Sequence, residues 1–99
     1  MASVRLLRRA EADLDLAVAW YQSRSALAAR RFQAAVTAAL DRIAAMPEMY
    51  PLVDKYHRLC PVRKSQYLIV YRFEPEANQI VVIAFAHSKQ NPPPWQARV

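Results

Sequence analysis

Between residues 55 and 73 the chain carries Lys55, Arg58, Arg63, Lys64 and Arg72, and no acid. Cations gathered without counter-charges can hold phosphate oxygens or the carboxylates of an acidic partner. His87, further on, is a candidate for acid–base work because an imidazole changes charge near neutral pH. No acid close to it in sequence would orient its ring, so a structural or surface role is the stronger expectation. His57 is expected in a surface loop. Cys60, among Leu59, Pro61 and Val62, reads as a small buried hydrophobe rather than a reactive thiol.

Composition removes several chemistries. The 99 residues include no glycine, so the phosphate-cradling loops that need close backbone approach are excluded. With one cysteine, neither an intrachain disulfide nor a zinc knuckle can form, and no metal or cofactor is expected. The net charge of +6 and pI near 10 favour an acidic partner, either nucleic acid or an acidic protein surface. The opening residues hold no apolar run long enough for a signal sequence, and residues 80–86 are too short a run to span a bilayer. A cytoplasmic, soluble protein with no membrane contact is the expectation.

The elements that would position these groups follow from periodicity. Residues 4–7 can form a short strand. Ala10, Leu14, Ala17, Val18 and Tyr21 recur at helical spacing behind Glu11, Asp13 and Asp15, which predicts a helix over 9–23. Trp20 sits beside that stripe and is expected to pack. Ala29, Phe32, Val36, Ala39, Leu40 and Ile43 predict a second helix over 26–46, stopped by Pro47. The link is so short that the two helices must form an antiparallel hairpin. After a loop over 47–57, strands are predicted at 58–63, 67–74 and 79–87, joined by turns of hairpin length. The fold class is α+β, in the order β-α-α-β-β-β, with the hairpin on one face of a small antiparallel sheet. One domain over 1–99 is expected, with a proline-rich tail over 88–99.

Tyr67, Leu68, Ile69, Val70 and Tyr71 are apolar at every position, where a strand bordering water should alternate. The hairpin can cover only Tyr67, Ile69, Tyr71 and Phe73. Twelve tail residues with three prolines make a poor lid, so the sheet face bearing Leu68, Val70 and Arg72 is expected to bind another polypeptide. Arg72 could anchor a carboxylate there through paired hydrogen bonds. Trp95 either folds back on the sheet or meets a partner.

The segments RLLRRAEADLDLAVAWY, ALAARRFQAAVTAALDRIAAMPEMYP and VRKSQYLIVYRF with IVVIAFAHSKQNP resemble the RelE/ParE toxin superfamily over about residues 4–95. The resemblance implies the toxin of a bacterial toxin–antitoxin module, silenced by the C-terminal segment of a cognate antitoxin and working without cofactor. RelE-like members cleave messenger RNA on the ribosome with lysines and arginines on the central strands, an arginine near the last strand and a C-terminal tyrosine. Such cleavage needs a base, an acid and cations on the phosphate. The matching positions here hold Leu59, Pro61, Leu68, a residue near Ser88, and Pro94 or Trp95, so nearly the whole nuclease set is missing. ParE-like members lack that set too and trap DNA gyrase on cleaved DNA. Arg8-Arg9, Asp13-Leu14 and the histidine ending the last strand place the chain closer to them, and inhibition of gyrase is the expected activity. Lys89, Trp95 and Arg98 are then the candidate target contacts. The alternatives are a ribosome-dependent endonuclease using Arg58, Arg63, Lys64 and His87, and an inactive relative that only binds an antitoxin.

Overall fold

The computed structural model describes residues 1–90 and 94–98. Strand β1 (Ser3–Leu6) leads into helices α1 (Arg8–Arg24) and α2 (Ala26–Ala45), followed by β2 (Arg58–Pro61), β3 (Tyr67–Glu74), β4 (Gln79–His87) and a short 3-10 turn, Pro94–Arg98. A single extended residue, Ser25, ends α1 and begins α2, and its hydroxyl accepts the Ala28 N–H at 2.9 Å. This cap satisfies a donor that α2 cannot satisfy itself. Ser25→Ala should therefore cost about 1 kcal/mol. Thermal unfolding should show it as a fall in Tm of ~4–8 °C, and an unchanged Tm would mean the hairpin is fixed by packing alone.

The sheet order is β1-β4-β3-β2. The three C-terminal strands form the antiparallel meander read from the sequence, but β1 pairs parallel to β4, so the sheet is mixed. A parallel neighbour requires a crossover, and the helix hairpin supplies it. On one face Phe32, Val36, Ala39 and Ile43 of α2 and Ala10 and Ala17 of α1 meet Ile69, Tyr71, Ile80, Val82 and Phe85. The buried Tyr71 hydroxyl donates to the Pro47 carbonyl at 2.8 Å, tying the end of the hairpin to the sheet.

The opposite face is not bare. Val70 pairs with Ala84 and Tyr71 with Val82, so Ile83 is an extra residue in β4. This bulge turns both Ile83 and Ala84 to the same side, beside Val70, Val81 and Ala86. Trp95 lies on them with only 6% of its surface exposed, flanked by Leu7 and Leu59. The expectation of an uncovered face awaiting a second polypeptide is thus corrected: the chain's own tail seals its centre. Prolines exclude the tail from a ladder, yet one large aromatic side chain needs no ladder to bury apolar area. Pro92 and Pro93 of the proline-rich tail lie outside the described residues.

Candidate functional site

The tail is fastened by chemistry that no local pattern reveals. Beyond Leu6 the strand β1 ends, leaving residues 83–87 of β4 without a strand partner on that side among the described residues. Asp13 and Arg98 fill the gap. The Phe85 N–H donates to Asp13 Oδ2 at 3.2 Å, and Arg98 donates to the Ile83 carbonyl at 3.3 Å. Arg98 also grips Asp13 through two nitrogens, at 2.6 and 2.9 Å. That paired contact, more than any other influence, raises the Arg98 guanidinium above its ordinary value. The edge that another strand could have joined is therefore occupied by side chains.

His57 is buried, not at the surface as expected: its Nδ1 lies 2.9 Å from Asp54, and its ring meets that of Trp95 at 6.0 Å. The Asp54 carboxyl, held chiefly by the Tyr56 N–H and also by the His57 N–H, sits below the usual carboxylate range. Burial pushes the Cys60 thiol up, in keeping with a core residue.

The residues singled out by type fall into separate places. Arg58 points back to the preceding loop and donates to the carbonyls of Glu48 and Tyr50, at 3.1 and 2.7 Å. Arg63 lines a groove along α2 with Arg31, Arg42, Ala35 and Ala38. Lys64 lines that groove too, and with His87 and Lys89 it also lines a second cleft. Leu68 is half-buried, Val70 is wholly buried beneath the tail, and Arg72 is engaged by Glu74 at 3.0 Å. Trp95 and Arg98 are committed to the fold, leaving Lys89 as the exposed member of the tail set.

The cleft holding Lys64, His87 and Lys89 has a volume of about 600 Å³ and is walled by Trp20, Tyr21 and Tyr67. Trp20 was expected to pack inside; it is 50% exposed, edge-on to Tyr21, with the Arg24 guanidinium 4.6 Å over its ring. Tyr67 meets His87 edge-on at 5.3 Å. Its phenol is raised by burial first, then by Tyr21 and Asp13, so it remains protonated at neutral pH. The Lys89 N–H donates to His87 Nδ1 at 3.1 Å, which leaves the proton of the neutral ring on Nε2. Lys64 has φ near 60°, a left-handed conformation that costs a lysine about 1–2 kcal/mol. The turn is braced by Ser65, whose hydroxyl donates to the Val62 carbonyl at 2.8 Å and accepts the Tyr67 N–H at 3.1 Å.

The family model described as ParE toxin of type II toxin–antitoxin system, parDE, matches residues 4–92. The chain belongs to the ParE toxin family. A solved structure described as the chromosomal ParDE TA system from P. aeruginosa superposes with a TM-score of 0.62 at 16% identity, covering 90% of this chain and 98% of that one. At that identity the likeness speaks for the fold. No curated protein matches the sequence. The cleft's aromatic wall has no local signal in the sequence, because Trp20 and Tyr21 lie on helix α1 and Tyr67 on β3. Asp13 is read from the sequence as a helix-start acid and as part of the ParE-like opening, and neither reading reveals its role as the anchor of the tail. Among the described residues there is no metal-binding cluster, and no helix is long and apolar enough to cross a membrane.

Proposed function

We propose that this toxin-family chain inhibits DNA gyrase without cleaving RNA, and that a cognate antitoxin silences it. The observation that carries the reading is the apolar character of the nuclease positions. Leu59 and Pro61 on the edge strand β2, and Leu68 on its neighbour β3, stand at the positions where the resemblance to RelE-like members would call for a phosphate-binding cation or proton donor. Arg58 is turned away to backbone carbonyls, so it does not join Lys64 and His87 in a substitute set.

The groove along α2 supports the antitoxin half of the proposal. Its floor of Ala28, Ala35 and Ala38 is apolar and its rim carries Arg31, Arg42 and Arg63. Such a surface suits an amphipathic acidic segment, the chemistry of a silencing peptide that must offset a +6 chain. Leu68 and Arg72 lie on the opposite sheet face and would form a separate contact, whereas Val70 becomes reachable only if the partner lifts Trp95.

Purified chain added to gyrase supercoiling reactions should reduce supercoiling and raise the yield of protein-linked cleaved DNA. In a parallel ribosome-programmed translation mixture, messenger RNA should stay intact. Unchanged supercoiling at saturating protein would remove gyrase as the target. Message cleavage lost on His87→Ala would instead establish the endonuclease reading.

A further inference from the structure

We propose that the cleft between the end of α1 and the β2–β3 turn is a binding site for one nucleotide unit of single-stranded DNA. The base would lie against Trp20, Tyr21 and Tyr67, with the phosphate between Lys64 and Lys89. This goes beyond gyrase inhibition and does not require it, since the site is complete in the isolated chain.

Three observations converge. The cleft volume of about 600 Å³ lies in the range that small-molecule sites occupy, and its walls are aromatic rings from two different elements. Every base has a π-face, so stacking on such a wall is tolerant of sequence and requires an unpaired strand. The lining is also basic: among the described residues forming it there are two lysines and a histidine and no acid. His87 contributes an Nε2 proton free to meet an oxygen of phosphate or base, because its Nδ1 is occupied by the Lys89 N–H.

The third observation concerns Lys64. It holds a left-handed backbone that asparagine or glycine would occupy with little strain. Ser65 enforces that turn through two hydrogen bonds, and the result is a cation at the rim of an aromatic cleft. A strained conformation maintained by its surroundings is a mark of a working site. Trp20 adds to this, since a half-exposed tryptophan with a guanidinium over its ring offers a cationic stacking surface. Duplex DNA, whose bases are already stacked on each other, could use only the lysines.

The test is fluorescence anisotropy of a fluorescein-labelled oligothymidylate of about ten nucleotides, titrated with the full chain at low salt. Single-stranded oligonucleotide should bind more tightly than the same length of duplex. Trp20→Ala should weaken binding about tenfold, while Trp20→Phe should restore most of it. Lys64→Asn keeps the left-handed turn and should weaken binding about as much, with a shallower salt dependence. Circular dichroism confirms that these surface variants stay folded. Competition separates the sources of the ligand: displacement by thymidine monophosphate but not by inorganic phosphate shows that one free nucleotide suffices. Displacement only by longer strands shows that the site works within a strand. Equal binding of duplex and single strand, or a Trp20→Ala variant that binds like the parent, would reduce the site to a basic surface. Absence of binding would overturn the proposal outright.

Discussion

Trp95→Ala should be the most damaging single substitution outside the main core, costing about 3 kcal/mol. The indole covers Val70, Val81, Ile83, Ala84 and Ala86, so its removal uncovers the second sheet face rather than leaving a closed cavity. The cost is capped by the free energy of lifting the tail from the sheet, because a detached tail loses all its contacts together. Urea unfolding should show the lower stability, Tm should fall by more than ~10 °C, and the folded variant should bind an apolar dye. Trp95→Phe should recover much of the loss. Asp13→Ala releases the same tail from its other anchor and also strips the Phe85 N–H of its acceptor. The two substitutions together should cost less than their sum, since the second acts on a tail already free. A Trp95→Ala chain with the parent's Tm and no dye binding would show that the tail does not rest on the sheet in solution.

That tail is also where sequence reasoning failed, and the reason is physical. Stripes at three- and four-residue spacing located α1 and α2 to within a residue, and apolar runs bounded by turns located β3 and β4 at their observed limits. These are local signals. The closure of the second face rests on Ile83 standing as a bulge and on Asp13 meeting Arg98, residues 85 positions apart, and neither leaves a periodic trace. The parallel pairing of β1 with β4 is hidden in the same way, because a four-residue strand reads alike in either direction. Candidate site residues fared according to their neighbours. Lys64 and His87 do share a cleft, but Arg58 turns away because the carbonyls of Glu48 and Tyr50 offer it partners along a loop of no fixed period.

Closure of both faces bears on what the antitoxin proposed above would have to do. With Val70 sealed and the β4 edge capped by Asp13 and Arg98, strand addition there requires the tail to leave first. The α2 groove requires no such rearrangement, so an antitoxin segment engaging it alone would bind without the delay of tail release. Variants that loosen the tail therefore separate the two modes: they speed association if the partner uses the sheet and leave it unchanged if the partner uses only the helix groove.

Alkaline pH should unfold the chain through Tyr71, and Tyr71→Phe should remove most of that sensitivity. The phenol is pushed up to about 12, chiefly by burial, with the Arg58 charge opposing. An unfolded tyrosine ionises near pH 10. Between these values the unfolded state gives up its proton while the folded state retains it, so stability is complete below about pH 10 and falls as pH rises toward 12. The loss by pH 12 is on the order of 3 kcal/mol, a large share of the stability of a domain this size. Tyr67, raised by the same cause, steepens the decline. Tyr71→Phe gives up the hydrogen bond to the Pro47 carbonyl, a cost of about 1 kcal/mol at neutral pH. The two stability curves must then cross: the variant is weaker at pH 7 and stronger than the parent near pH 12. Urea midpoints across that range measure the crossing directly, and parallel curves for the two proteins would show that Tyr71 ionises as freely in the fold as outside it.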